Sequence, residues 1–128
     1  MSSEADEGAG ATKRARILIV EDEVLAAFET AYVLSEAGFE VVGPAISRSR
    51  ALEVIATTGC DAAVLDAMLG REASEAVADE LTARGKPFVV FSAYSQKQLP
   101  PLLRSAPFVA KPLDPQKLIL ELRRFLKA

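Results

Sequence analysis

Acids, a hydroxyl and an ammonium follow four separate apolar runs in this sequence. They are Glu21-Asp22-Glu23 after Ile17 to Val20, Asp66 after Val64-Leu65, Ser92 after Val89 to Phe91, and Lys111 after Phe108 to Ala110. Carboxylates gathered in one place repel one another, and a hard cation with oxygen ligands relieves that repulsion. Magnesium suits the task, because it takes one or two carboxylates, keeps several waters and leaves positions for phosphate oxygens. Asp22 and Asp66 are the candidate direct ligands, with Glu21 acting through water. Lys111 could neutralise a phosphoryl oxygen while the Ser92 hydroxyl donates a hydrogen bond to another. A carboxylate can also accept the phosphoryl group itself, giving an aspartyl phosphate.

Taken singly, these residues have ordinary explanations. Acids after a strand cap helices, a serine closes a turn, and a lysine is usually a solvated charge. The argument rests on their joint placement, each at the end of a different apolar run. If those runs are neighbouring parallel strands, their carboxyl ends share one edge and bring distant residues together.

The intervening segments support such a sheet. Arg16 to Val20 reads as a central strand, and Val24 to Ala37 as a helix with Val24, Leu25, Phe28, Ala31, Tyr32 and Leu34 at helical spacing, stopped by Gly38. Phe39 to Val42 is a second strand closed by Gly43-Pro44, and Ser47 is the expected N-cap of a helix carrying Ala51, Leu52, Ile55 and Ala56. Ala62 to Leu65 is a third strand, leading through a loop with Gly70 to a helix from about Ser74 to Arg84. Phe88 to Phe91 and Phe108-Val109 supply the fourth and fifth strands. Pro115, capped by Asp114, starts a last helix with Leu118, Ile119, Leu122, Phe125 and Leu126 on its buried face. Pro100-Pro101 cannot lie inside an uninterrupted helix, so the fourth helix is expected to be truncated or mobile. Alternating strands and helices predict an α/β fold with a parallel sheet covered on both faces.

Composition narrows the chemistry. At 128 residues the chain suits one domain, at residues 16–127, preceded by a flexible Gly-, Ala- and acid-rich tail at 1–15 that lacks the apolar stretch of a signal peptide. With apolar runs far too short for a bilayer, a cytoplasmic location and no membrane contact are expected. The chain contains no histidine, which excludes Ser-His-Asp and Cys-His catalysis and His-ligated zinc. Cys60 is the only cysteine, expected as buried filler. A net charge of -3 without a basic stripe argues against direct nucleic-acid binding.

Ile-Leu-Ile-Val-Glu-Asp-Glu at 17–23, Val-Leu-Asp at 64–66, Val-Phe-Ser-Ala at 90–93 and Ala-Lys-Pro at 110–112, in that order, resemble the receiver domain of bacterial two-component response regulators. The resemblance implies a flavodoxin-like, doubly wound (βα)5 fold with strand order 2-1-3-4-5. It implies that Asp66 accepts a phosphoryl group from a phosphohistidine on a sensor histidine kinase or phosphotransfer protein, the domain promoting only its own phosphorylation and dephosphorylation. Asp22, Asp66 and the backbone carbonyl of Met68 are then the Mg2+ ligands, Glu21 acts through water, and Ser92 and Lys111 contact the phosphoryl group. Ser92 and Phe108 are the implied conformational switch, and output passes to a separate protein target from a monomer or weak homodimer.

Three features depart from the common pattern: Glu rather than Asp at 21, Gly70 where the family often has Pro, giving a more flexible loop, and the prolines in the fourth helix. They resemble a divergent group of single-domain and kinase-attached receivers. Two other readings compete. One is a binding module that is never phosphorylated, against which stands the joint presence of Asp66, Ser92 and Lys111. The other is a Mg-dependent phosphohydrolase with an aspartyl intermediate, disfavoured because Met68 stands where such enzymes commonly place a second acid.

Overall fold

The computed structural model describes residues 14–126, with the side chain of Phe125 not among the features described. Most of the expected tail, and Lys127, therefore lie outside the described residues. Five parallel strands form the sheet: β1 (Arg16–Val20), β2 (Glu40–Ala45), β3 (Ala62–Leu65), β6 (Phe88–Ser92) and β7 (Phe108–Ala110), in the order β2-β1-β3-β6-β7. Two very short strands, β4 (Met68–Leu69) and β5 (Glu72–Ala73), pair antiparallel in a separate hairpin after β3. With that hairpin set aside, the order is the expected 2-1-3-4-5.

Both faces of the sheet are dry, which explains why its strands are apolar throughout rather than alternating. Ile17, Ile19, Val64, Val89 and Phe91 face one layer, packed with Leu34 of α1 (Val24–Glu36) and Leu118 and Leu122 of α5 (Pro115–Leu126). Leu18, Val20, Leu65 and Val90 face the other, against α2 (Arg48–Thr57), α3 (Glu75–Ala83) and the four-residue α4 (Pro101–Arg104). The caps read from sequence are formed: Ser47 Oγ accepts from the Arg50 N–H at 3.1 Å, and Asp114 Oδ1 from the Lys117 N–H at 3.3 Å. Cys60 is buried, and burial pushes its thiol up.

The expected interruption of the fourth helix is present. A 3-10 turn at Gln96–Gln98 and the short α4 replace a continuous helix, with Pro101 at the first helical position, where its missing N–H costs nothing. Leu99 and Leu103 are still buried, so this segment remains anchored to the core.

Three sequence expectations need correcting. Gly43-Pro44 does not close the second strand: β2 runs through to Ala45, with a register shift opposite Leu18 and Val20. An edge strand tolerates proline because its outer N–H positions need no partner. Gly43, at φ +87°, fits where a Cβ would lie 2.7 Å from the Ala45 nitrogen.

The Gly70 loop is not a loose connection but the turn of the β4–β5 hairpin. The apolar positions of α1 do not form its buried face. Ala27, Thr30 and Leu34 are buried and Ala31 half-buried, whereas Val24, Leu25, Phe28 and Tyr32 are exposed. Small side chains let the helix lie close to the sheet, and the large ones are left to solvent.

This orientation makes a testable contrast. Leu34→Ala should destabilise the fold by about 2–5 kcal/mol, as for a fully buried leucine, while Leu25→Ala should change it by less than about 0.5 kcal/mol. Urea denaturation of the two variants checks it, and equal losses would contradict the assigned face.

Candidate functional site

The parallel pairing places Val20, Leu65, Ser92 and Ala110 near one end of the sheet, and the residues that follow them converge. Glu21 is anchored by its N–H to the Ala45 carbonyl (3.0 Å), Asp66 by its N–H to the Val20 carbonyl (2.9 Å), and Lys111 by its N–H to the Ser92 carbonyl (2.9 Å). These three bonds continue the sheet's ladder one residue past each strand. They fix where the side chains leave the backbone.

Lys111 Nζ lies 2.8 Å from Glu21 Oε1 and 3.0 Å from Asp66 Oδ2. Its ammonium also sits 5.4 Å from the centre of the Phe91 ring, whose face favours a cation. Glu21, Asp66 and Ser92 are buried, whereas Asp22 is exposed. Oxygens of Glu21, Asp22 and Asp66 all come within 4.8 Å of one another.

Backbone donors complete the cluster. The Met68 N–H donates to Asp66 Oδ1 at 3.3 Å, the Glu23 N–H to Glu21 Oε2 at 3.2 Å, and the Gly70 N–H to Asp22 Oδ2 at 2.7 Å. Ser92 Oγ accepts from the Tyr94 N–H at 3.0 Å, a serine turn that leaves its own proton available. No hydrogen bond joins Ser92 to the acids among the described residues.

Comparison with known proteins finds similarity in sequence and in fold. No protein-family model matches the chain. It is 33% identical over 108 residues to the transcriptional regulatory protein PdtaR of Mycobacterium tuberculosis, a match covering 81% of this chain and 53% of PdtaR. The chain thus spans about half the length of that curated relative. A CheY-like response regulator receiver domain from Methylobacillus flagellatus superposes with a TM-score of 0.76 at 26% identity, over 88% of this chain and 98% of the other. In sequence and in fold the chain is similar to the response-regulator receiver domains. A CheY-like receiver from Methanospirillum hungatei JF-1 shares the fold, with a TM-score of 0.78 at 23% identity over 89% of this chain and 94% of that one.

The sequence-selected residues Glu21, Asp22, Asp66 and Lys111 do come together, and Ser92 ends the adjacent strand. Phe108 does not reach them. It starts β7, half-buried, and packs against the core layer that contains Leu99 and Leu103. Sequence reasoning missed the Gly70 amide, although a glycine opening a two-residue loop between short strand-like pairs is itself a hairpin signal.

The acid cluster suits a hard divalent cation. Glu21 Oε1 is buried and has no hydrogen-bond donor in line with it, since the nearby ammonium approaches as an ion pair rather than along a hydrogen-bond direction. Asp22 and Asp66 add oxygen donors, and the exposure of Asp22 leaves room for waters.

The electrostatics express the same crowding. Glu21 is pushed up to about 7, chiefly by burial, with Asp66 adding to the shift and the Lys111 ammonium opposing it. Burial acts to lower Lys111, but its contacts with Glu21 and Asp66 outweigh this and hold the ammonium above its ordinary value.

A carboxyl raised in the folded state stabilises the fold fully below its unfolded pKa, and that contribution disappears as pH rises through the folded one. The stability that Glu21 confers on the cation-free protein should therefore fall between about pH 4.5 and about pH 7. Denaturation in the presence of chelator should show this decline, and Glu21→Gln should reduce it by on the order of 1–3 kcal/mol across the window. Parallel pH profiles for the two proteins would contradict the assignment.

Proposed function

We propose that this receiver domain takes a phosphoryl group onto Asp66 from a phosphohistidine on a partner protein and signals through the resulting change at its surface. Receiver domains in general work with histidine kinases or phosphotransfer proteins and are not classical enzymes. The observation that carries the assignment here is the Lys111 ammonium 3.0 Å from Asp66 Oδ2, beside two further carboxylates. This combination provides an acceptor, a fixed positive charge for the incoming phosphoryl group, and a place for the cation such transfer requires.

In the transfer, an Asp66 carboxylate oxygen attacks phosphorus as the P–N bond to imidazole breaks. The nitrogen leaves with the bonding pair and is protonated from solvent. Lys111 neutralises one phosphoryl oxygen, and the Ser92 hydroxyl, whose proton is uncommitted in its serine turn, donates to another. Asp22, Asp66 and the Met68 carbonyl, with Glu21 through water, would hold Mg2+, which would supply charge neutralisation at the phosphoryl oxygens. The missing histidine fits this division of labour, because the donor imidazole belongs to the partner.

The exposed stripe of α1 supports a protein donor. Val24, Leu25, Phe28 and Tyr32 begin immediately after Glu21-Asp22-Glu23, so a helix docked on them would hold its phosphohistidine near Asp66. Conformational output follows from Ser92 moving toward the phosphoryl group. Phe108, paired in register with Val90 two residues before Ser92, would repack as β6 shifts. Phenylalanine lacks a phenolic hydroxyl, so this response depends on burial.

Intact mass after incubation with acetyl phosphate and Mg2+ tests the proposal. The wild type should gain one base-labile phosphoryl group and Asp66→Asn none. No adduct, together with failure to bind beryllofluoride, would favour a constitutive binding module. Rapid catalytic phosphate release would favour a phosphohydrolase.

A further inference from the structure

The β4–β5 hairpin makes one contact that phosphoryl transfer does not require. Gly70 opens its two-residue loop at φ +66°, and its N–H donates to Asp22 Oδ2 at 2.7 Å, a short charge-assisted bond. The hairpin is held firmly enough to make this a fixed donor. Ser74 is fully buried and closes its base, with Oγ and N–H both donating to the Ala67 carbonyl at 3.0 Å. Leu69 is buried in the core, and Glu72 Oε2 meets the Arg48 guanidinium at 2.9 Å at the start of α2.

The other carboxylate oxygens are also engaged. Glu23 N–H holds Glu21 Oε2, Met68 N–H holds Asp66 Oδ1, and Lys111 lies at both Asp66 Oδ2 and Glu21 Oε1. Asp22 Oδ1 alone has neither a donor nor a cation among the described residues. Buried Glu21 Oε1 has the Lys111 ammonium at 2.8 Å but no donor in line with it.

Resting on the reading of this cluster as a cation site, we propose that the Gly70 amide sets its selectivity among divalent cations. With Oδ2 held by Gly70, Asp22 presents one oxygen. That suits a small octahedral cation such as Mg2+ or Mn2+, which takes carboxylates through single oxygens and keeps its waters. It disfavours Ca2+, which seeks about six to eight oxygens and readily draws on both oxygens of a carboxylate. Gly70 is thus a positioning residue acting through Asp22. The braced hairpin, unlike a loose loop, keeps the amide in place when the cation changes.

Substitutions at Gly70 separate the donor from the turn. Gly70→Ala keeps the N–H, and its Cβ would meet Asp22 Oδ2 only at an ordinary 3.9 Å, although the positive φ becomes strained. Gly70→Pro removes the N–H and cannot adopt the observed φ. Arg48→Gln loosens the hairpin from outside the cluster.

The full chain is titrated calorimetrically with Mg2+ and Ca2+, and Mn2+ broadening of backbone amide resonances locates the site. The wild type and Gly70→Ala should prefer Mg2+ over Ca2+ by about tenfold, the equivalent of one charge-assisted hydrogen bond. The preference should shrink in Arg48→Gln and disappear in Gly70→Pro. An unchanged preference in a folded Gly70→Pro would overturn the inference, as would equal wild-type affinities for the two cations. If Gly70→Pro does not fold, the wild type decides. Its Gly70 amide should stay hydrogen-bonded, with a small temperature coefficient, at saturating Mg2+, and release of that amide by Mg2+ would overturn the inference. Absence of any Mn2+ broadening around Asp22 and Asp66 would overturn the cation-site reading and this inference together. Broadening without discrimination overturns the inference alone.

Discussion

The Lys111 ammonium stands 2.8 Å from Glu21 and 3.0 Å from Asp66, and without it two nearly dry carboxylates from neighbouring strands would face each other uncompensated. Such an arrangement is costly, because charges taken out of water retain little solvation and repel strongly at short range. The lysine reaches them only because β7 pairs with β6, β6 with β3 and β3 with β1 in parallel register. Strand order, the ladder bonds beyond the strand ends and the rise of Glu21 to about 7 are aspects of one constraint. The fold must gather negative charge at one edge and keep a single cation on hand to tolerate it.

That constraint is supported by the rest of the domain. The two apolar layers leave the sheet little freedom to relax the cluster by splaying strands apart. The tension is local, as the contrast between buried Glu21 and exposed Asp22 demonstrates. Glu21 carries the electrostatic stress, whereas Asp22, bonded to the Gly70 amide, meets solvent.

Much of this was legible from the sequence, for physical reasons that vary by element. Central strands such as Ile17 to Val20 must be apolar on both faces, so they stand out, and the polar residue after each marks its end. Ser47 and Asp114 were readable because a cap is a local interaction. The α1 face was misread because Val24, Leu25, Phe28 and Tyr32 satisfy helical periodicity as well as the small residues that do pack. Periodicity identifies a stripe but not which stripe meets the sheet. Pro44 reads as a strand end in the sequence because its tolerance within β2 depends on edge position, a tertiary fact. The hairpin at Gly70 was missed because its strands are two residues each and its main bond, to Asp22, spans 48 positions.

The claim that Lys111 makes the acid cluster tenable is tested most directly by a double-mutant cycle between Glu21→Gln and Lys111→Met, measured by denaturation of the cation-free protein at about pH 8, where Glu21 is ionised. The account predicts that Lys111→Met is strongly destabilising alone, much less so beside Glu21→Gln, with a coupling of about 1–3 kcal/mol. Additive effects, agreeing within about 0.5 kcal/mol, would contradict it.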